Sequence, residues 1–199
     1  MQEKIKLGEC KEIKFVGGQI TKRIEADIEK GDTICGEIIT IPPKAICAGK
    51  IVHENLYSLK YKSEIDESKL TREGDIVVKL STPYDAAYIT KNDEGMLITS
   101  FCTIIRIGND KKFNPRFLTA FINSQVYSEQ IKKMLSGAGV PMLTMGKLKE
   151  VYIDNFSKEE QEEIAVYYEN ICKKELLMKR IIELEKEKID AVLGGRSNG

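Results

Sequence analysis

The chain has 199 residues, 31 basic and 31 acidic side chains, 42% hydrophobic and 31% charged residues, and one histidine. That balance fits a soluble globular protein with one good core and room for a protruding element. No apolar run approaches the ~20 residues of a membrane-spanning helix, and Met1-Gln2-Glu3-Lys4 does not open a signal peptide, so the expectation is a cytoplasmic protein with no membrane partner.

The first hundred residues read as β. Residues 12–16, 33–41, 44–52 and 56–61 are short runs rich in Ile, Val and Tyr, punctuated by Gly17-Gly18, Gly31-Asp32 and Pro42-Pro43. Gly74-Asp75 turns into residues 76–80, apolar enough for a central strand; residues 85–90 and 96–107 continue the pattern around an Asn92-Asp93-Glu94-Gly95 turn. Strands this closely spaced predict a mixed or antiparallel sheet curled on itself, not an alternating βαβ fold.

Asn114 is a good N-cap and Pro115 suits the first helical position, so a helix is expected through about Leu135. Its stripe would be Phe117, Leu118, Phe121, Ile122, Val126, Ile131, Met134 and Leu135, buried against the sheet. Ser136-Gly137-Ala138-Gly139 breaks it, with Gly137 as a left-handed cap. An apolar and basic run over residues 141–152 leads to Ser157-Lys158-Glu159-Glu160, a capping box that starts a second helix reaching about Leu193. Some thirty-six residues make a rod of roughly 54 Å. Its narrow stripe of Ile164, Tyr168, Ile171, Met178, Ile181 and Ile189 and its charged flanks suit a coiled coil; the competing possibility is that the stripe packs on the chain's own head. The fold class is therefore α+β: a sheet-rich domain over residues 1–155 and a coiled-coil-type helix over residues 156–199.

Catalytic signatures fail. The five cysteines include no CxxC pair and read as reduced thiols packed as small hydrophobes. His53 alone cannot complete a zinc set, so neither a metal nor any other cofactor is expected. His53-Glu54-Asn55 lacks the PCxxC partner of a deaminase. Ser81-Thr82-Pro83-Tyr84 is one residue from an amino-methyltransferase motif, yet no glycine-rich methyl-donor loop accompanies it, and a proline-containing turn is the simpler reading. P-loop, G-x-S-x-G and H-E-x-x-H motifs are absent, and Asp66, Asp75, Asp85 and Asp93 fall mostly in turns. No acid, base and nucleophile come together, so the chain is not expected to be an enzyme. Zero net charge argues mildly against nucleic-acid binding, but residues 158–190 hold ten acidic and seven basic side chains, which leaves the rest of the chain at +3.

The order of elements resembles the specificity subunits of type I restriction–modification systems. Four stretches carry the resemblance, in sequence: Lys6-Leu7-Gly8-Glu9 with Gly17-Gly18; Leu70-Thr71-Arg72-Glu73-Gly74-Asp75-Ile76-Val77-Val78; Phe113-Asn114-Pro115-Arg116-Phe117-Leu118 with Phe121-Ile122-Asn123-Ser124; and Ser136-Gly137-Ala138-Gly139 with Leu143, Leu148, Val151, Tyr152 and Ile153 leading to Glu159-Glu160-Gln161-Glu162-Glu163-Ile164. Each is weak alone; order and spacing carry the weight. Tyr152-Ile153-Asp154-Asn155-Phe156 departs from the family's proline-containing turn. A full specificity subunit has two target recognition domains and two spacer helices, whereas this chain has one of each. The resemblance thus implies a non-catalytic half-subunit that dimerises through its helix and reads a bipartite, palindromic site on double-stranded DNA. Its partners would be a second copy, a DNA adenine methyltransferase subunit and, where one is present, a restriction subunit. A dimeric protein–protein adaptor on the same scaffold is the alternative.

For DNA contact the resemblance points to the polar loop after the Gly74-Asp75 strand, where Lys79, Ser81, Thr82 and Tyr84 combine charge, hydroxyls and an aromatic; a solvated turn would look the same. Ser136, Gly137 and Gly139 could offer backbone N–H groups to a phosphate or simply stop a helix. Lys111, Lys112 and Arg116 form a third candidate cluster, and Lys132, Lys133, Lys147 and Lys149 a fourth.

Overall fold

The computed structural model describes residues 4–108, 112–136 and 142–195. The chain divides into two compact units, Met1–Ala165 and Val166–Gly199.

The first unit is built on a four-stranded antiparallel sheet in the order β2 (Ile13–Gly17), β10 (Cys102–Ile107), β7 (Ile76–Lys79), β8 (Ala86–Tyr88). Side chains alternate across a strand, and here both faces are covered. Ile76, Val78 and Ile105 join Leu7, Phe113, Phe117, Leu118, Tyr127, Ile131, Leu148 and Ile153 in one core. Val77 and Ile104 join Val16, Ile41, Ile46, Ala87, Ile89 and Ile98 in another. That two-sided burial is why the Ile76–Lys79 run is apolar without alternation. The helical side is formed by α2 (Pro115–Ile122), α3 (Gln125–Leu135) and α4 (Met145–Lys149).

Across the other face lie β3 (Gly36–Ile41), the β4 (Ile46–Cys47) and β5 (Lys50–Ile51) hairpin, β6 (Tyr57–Tyr61) and β9 (Leu97–Ile98). β3 pairs antiparallel with β6 and parallel with β9, so this sheet is mixed while the central one is antiparallel, both within the expectation. A short helix, α1 (Thr21–Ile24), buries Ile24 in a third, smaller cluster with Leu59 and Leu97. β1 (Lys4–Lys6) and β11 (Tyr152–Asp154) pair to tie the two ends of the unit together.

Three sequence expectations are corrected. Residues 44–52 are not one strand but a 3-10 turn and a two-residue hairpin, because Pro42-Pro43 begins a turn and Gly49 adopts φ +92°. The helix expected over residues 114–135 is two helices. Asn123 ends the first by donating to Thr119 O and Ala86 O, both at 2.9 Å, while accepting from Ala86 N–H at 3.0 Å; Ser124 caps the second through Tyr127 N–H at 3.3 Å. The break rotates the stripe, so Tyr127 is buried and Val126 is 59% exposed.

The last helix, α5 (Lys158–Gly195), begins as its capping box requires: Ser157 N–H donates to the Glu160 carboxylate at 2.7 Å, and Glu160 N–H to Ser157 Oγ at 3.2 Å. Its first two turns belong to the first unit. Ala165 is buried and Ile164 packs against the helical-side core, so Ile164 drops out of the expected association stripe. The second unit is the remainder of the helix. Tyr168 is half-buried, while Ile171, Met178, Ile181, Ile189 and Val192 are each more than half exposed. Thirty-eight residues give α5 a length of roughly 57 Å. No described helix is long and apolar enough to cross a membrane.

Candidate nucleic-acid interface

The register of the central sheet sets its two ends apart chemically. At one end, Gly17 closes β2 opposite Thr103, and Lys79 closes β7 opposite Cys102, the first residue of β10. Three connections meet there: residues 18–20 after β2, 80–85 between β7 and β8, and 99–101 before β10. They are bonded in series. Gln19 N–H donates to Ile98 O and Ser100 N–H to Gln19 O, both at 2.8 Å; Leu80 N–H donates to Phe101 O at 2.9 Å; Leu143 N–H donates to Leu80 O at 2.8 Å. The last bond brings in the segment before α4. Lys147 Nζ then donates to Met134 O at 3.0 Å, joining the end of α3 to the same rim.

Gly18 makes the rim possible. A Cβ at this position would lie 1.9 Å from Thr99 O, so only glycine lets the two loops approach. The Ser81–Tyr84 turn is closed by Tyr84 N–H to Ser81 O at 2.8 Å and holds a cis Thr82–Pro83 bond. Tyr84 has φ +64°, a left-handed conformation uncommon for a non-glycine residue, and its ring packs against the helical-side core.

The rim segments are residues 18–23, 80–85, 99–101, 132–136 and 142–147. They contain Lys22, Arg23, Lys132, Lys133 and Lys147, and their one carboxylate, Asp85, is paired with Lys79 at 3.5 Å. Lys22, Arg23, Lys132 and Lys133 are exposed. Ser81, Thr82, Ser100, Thr144 and Ser136 add hydroxyls. A surface rich in cations and hydroxyls, its one carboxylate neutralised by a lysine, attracts a polyanion and can bond both phosphates and base edges.

The opposite end is of mixed sign. Asp75 is 2% exposed and accepts from Arg106 Nε at 2.8 Å, from Arg106 Nη2 at 2.6 Å and from Arg72 N–H at 2.8 Å; the same guanidinium reaches Leu70 O at 2.9 Å. This fork-to-fork pair is a structural joint under the turn at Gly74 (φ +87°), since breaking a buried pair leaves a stranded charge. Beside it a cleft of about 740 Å³ is lined by Arg72, Glu73, Arg106, Asn114, Lys158 and Glu162, among others. Cations and carboxylates alternate there, which suits it poorly to a polyanion.

The sequence candidates are thereby divided. Ser81, Thr82 and Ser136 lie on the rim, Ser136 with its hydroxyl donating to Lys133 O at 2.9 Å. Tyr84 belongs to the rim turn, although its ring faces inward. Lys79 is corrected: it is 8% exposed, pairs with the Asp85 carboxylate at 3.5 Å and donates to Ile46 O at 3.4 Å, because the strand that carries it is buried on both faces. Lys112 and Arg116 lie at the mixed end, Lys112 Nζ 6.0 Å from the Phe113 ring and the Arg116 guanidinium 5.4 Å from the Tyr88 ring. Lys149 Nζ sits 5.5 Å from the Phe15 ring. Lys111, Gly137 and Gly139 fall outside the described residues. Lys22, Arg23 and Phe101 were not singled out from the sequence; only the strand register brings their segments to the rim.

Burial holds the Cys102 thiol at a pKa pushed up to about 12 and raises that of Cys10, in keeping with inert packing.

No family model matches the chain, and no curated protein does. Solved structures do. The chain superposes on the HsdS subunit from Thermoanaerobacter tengcongensis with a TM-score of 0.54 at 20% identity, covering 91% of this chain and 46% of that one. It superposes on the type I restriction–modification system S subunit from M. genitalium with a TM-score of 0.54 at 13% identity, covering 94% and 43%. A chain from a type I R-M system studied for complex assembly and conformational transition gives 0.54 at 19% identity, covering 91% and 46%. The chain spans a little under half the length of each. Its fold is that of one half of a specificity subunit, as the sequence resemblance implied.

Proposed function

We propose that this chain is a sequence-specific, non-catalytic DNA-recognition subunit of a type I restriction–modification complex. The rim is its reading surface and the exposed stripe of α5 its means of pairing with a second copy. The observation that carries this reading is the near-half coverage of S-subunit chains by a chain whose head holds, at one sheet end, five cations and a single carboxylate, Asp85, that is already paired with Lys79. One head reads one half-site. Two heads related by a two-fold axis read the same sequence on opposite strands, and the helices between them set the gap. Methylation is the work of a separate adenine methyltransferase subunit, and cleavage that of a restriction subunit where one is present. Ser81, Thr82, Ser136, Lys132 and Lys133 supply the polar contacts, while Ile171, Met178, Ile181 and Ile189 form the seam, with Tyr168 at its base.

The test is selection from a pool of duplexes with a randomised core, using the full chain alone and with a methyltransferase subunit. The expected product is a bipartite, palindromic consensus bound with an affinity that falls steeply with salt. Absence of any enriched sequence in both arms rejects the reading. Salt-insensitive association with other proteins and none with duplex DNA would favour the adaptor, for which zero net charge speaks.

A further inference from the structure

Three side chains on the rim are apolar, large and exposed: Ile20 at 42%, Phe101 at 50% and Met142 at 46%. They stand on three backbone segments, residues 18–20, 99–101 and 142–144, of which the first two are bonded directly and the last two through Leu80. Phe101 is the best held of them. Cys102 N–H donates to Thr99 O at 2.9 Å to close the turn that presents it, its own carbonyl accepts from Leu80 N–H, and Gly18 locks the neighbouring loop against Thr99. A half-exposed phenyl ring on a rigid turn has already lost its backbone freedom, so a partner that covers it gains apolar burial at little ordering cost.

The charge around this patch selects the partner. Lys22 and Arg23 follow Ile20 in the chain, Lys132 and Lys133 precede the segment that carries Met142, and none of these segments holds a carboxylate. An apolar centre flanked by cations matches a partner that is apolar in its middle and anionic along both margins. A DNA duplex, with stacked bases between two phosphate strands, has that profile.

We propose that Phe101, with Ile20 and Met142 beside it, is an apolar wedge that presses into a base step of the recognised DNA. Such wedges partly unstack a step and bend the duplex. Flexible pyrimidine–purine steps yield most easily, so the wedge selects sequence through deformability and not through hydrogen bonds. The proposal rests on the DNA-recognition reading above and adds a residue and a mode of readout to it.

The experiment uses the full chain and a duplex enriched from the randomised pool, with the unselected pool as reference. Affinity is measured for the parent, Phe101→Ala, Phe101→Leu and Met142→Ala, together with 2-aminopurine fluorescence along the enriched half-site. The expected result for Phe101→Ala is loss of roughly 10-fold or more in preference for the enriched duplex, with a smaller loss of pool affinity and the salt slope unchanged because no phosphate contact is removed. Phe101→Leu, still a wedge, retains most of the preference, and Met142→Ala loses less than Phe101→Ala. The parent brightens 2-aminopurine at one step, and Phe101→Ala does not. Unchanged preference and unchanged fluorescence in Phe101→Ala overturn the wedge and leave DNA recognition standing. A parent that enriches nothing and shows no salt-dependent binding overturns both. Because Phe101 is half exposed, its truncation leaves the core intact, which a matching thermal melt verifies.

Discussion

Replacing Gln161 by alanine should loosen the joint between the last helix and the head by a predictable amount. Gln161 is 3% exposed, and its amide satisfies three backbone groups: it accepts from Asn114 N–H at 2.8 Å and donates to Lys112 O and Phe156 O, both at 3.1 Å. Asn114 is itself the cap of α2, accepting from Arg116 N–H at 2.9 Å. One side chain thus ties the start of α5, the turn before it and the N-terminus of α2. Truncation strands the Asn114 N–H, at about 1–3 kcal/mol for an unsatisfied buried donor. The two carbonyls retain other lone pairs and add less, so the total should be ~2–4 kcal/mol, a large share of a domain's ~5–15 kcal/mol. Urea unfolding followed by circular dichroism should show a lower midpoint at an unchanged slope. Gln161→Glu sharpens the test. A carboxylate cannot donate to the two carbonyls, and Glu160 and Glu162 lie beside it in the chain, so its folded-state pKa is raised. The carboxyl is therefore best tolerated below its unfolded pKa, and that stability is lost as pH rises through the folded value. Gln161→Glu should accordingly approach the parent in mild acid and fall well below it at neutral pH. A Gln161→Ala midpoint matching the parent, or a Gln161→Glu deficit independent of pH, would refute the reasoning.

The other predictions concern the rim, the rod and the thiols. Gly18→Ala places a Cβ 1.9 Å from Thr99 O, so it should lower stability by about 1–3 kcal/mol in a urea melt and weaken duplex binding through the displaced rim. Lys132→Gln with Lys133→Gln should reduce the slope of log affinity against log salt by about 0.9 per lost phosphate contact, read by fluorescence anisotropy. Ile181→Glu with Ile189→Glu should leave the head folded and convert a dimer to a monomer in sedimentation equilibrium; a parent that is monomeric at every concentration contradicts the paired reading. Iodoacetamide under native conditions should modify exposed Cys35, while buried Cys10 and Cys102 react only after unfolding, as mass spectrometry of the digested chain would report.

What the sequence made legible was local. The capping box at Ser157 and Glu160, the cap at Asn114, the strand after Gly74-Asp75 and the long exposed helix all arise from neighbours in the chain and are found where the residues predicted them. The runs over 44–52 and 96–107, by contrast, are each broken into two short strands. What it hid depended on distant partners. The helix break at Asn123 is made by bonds to Ala86, thirty-seven positions away, and no period in the helix itself announces it. Lys79 looked like a phosphate ligand because a lysine ending an apolar strand is usually wet; Asp85 and Ile46 O, brought by the hairpin and by β4, make it a buried ion instead. Ile164 continues the stripe of α5 by spacing, yet the head claims it. The segments carrying Lys22, Arg23 and Phe101 meet only because Gly17 pairs with Thr103 and Cys102 with Lys79, a register that one sequence does not reveal.

The same distinction explains why the family resemblance says so little about the target. Its landmarks are joints. Gly8 lies against Lys149, where a Cβ would approach 2.7 Å from that side chain; Gly74-Asp75 seats Arg106; Asn114 and Gln161 clamp two helices; Gly18 admits Thr99. Each is needed wherever this scaffold folds, whatever it binds. The residues that face outward from the rim, Thr82, Ser100, Phe101, Lys132 and Lys133, meet no such internal demand and can change without unfolding the head. Exchanging those exposed positions while keeping the joints should therefore retarget the protein at constant stability, whereas changes at the joints should lower stability without altering which sequence is preferred. A set of rim variants that retained the parent consensus, or a joint variant that stayed folded and preferred a new one, would break that division of labour.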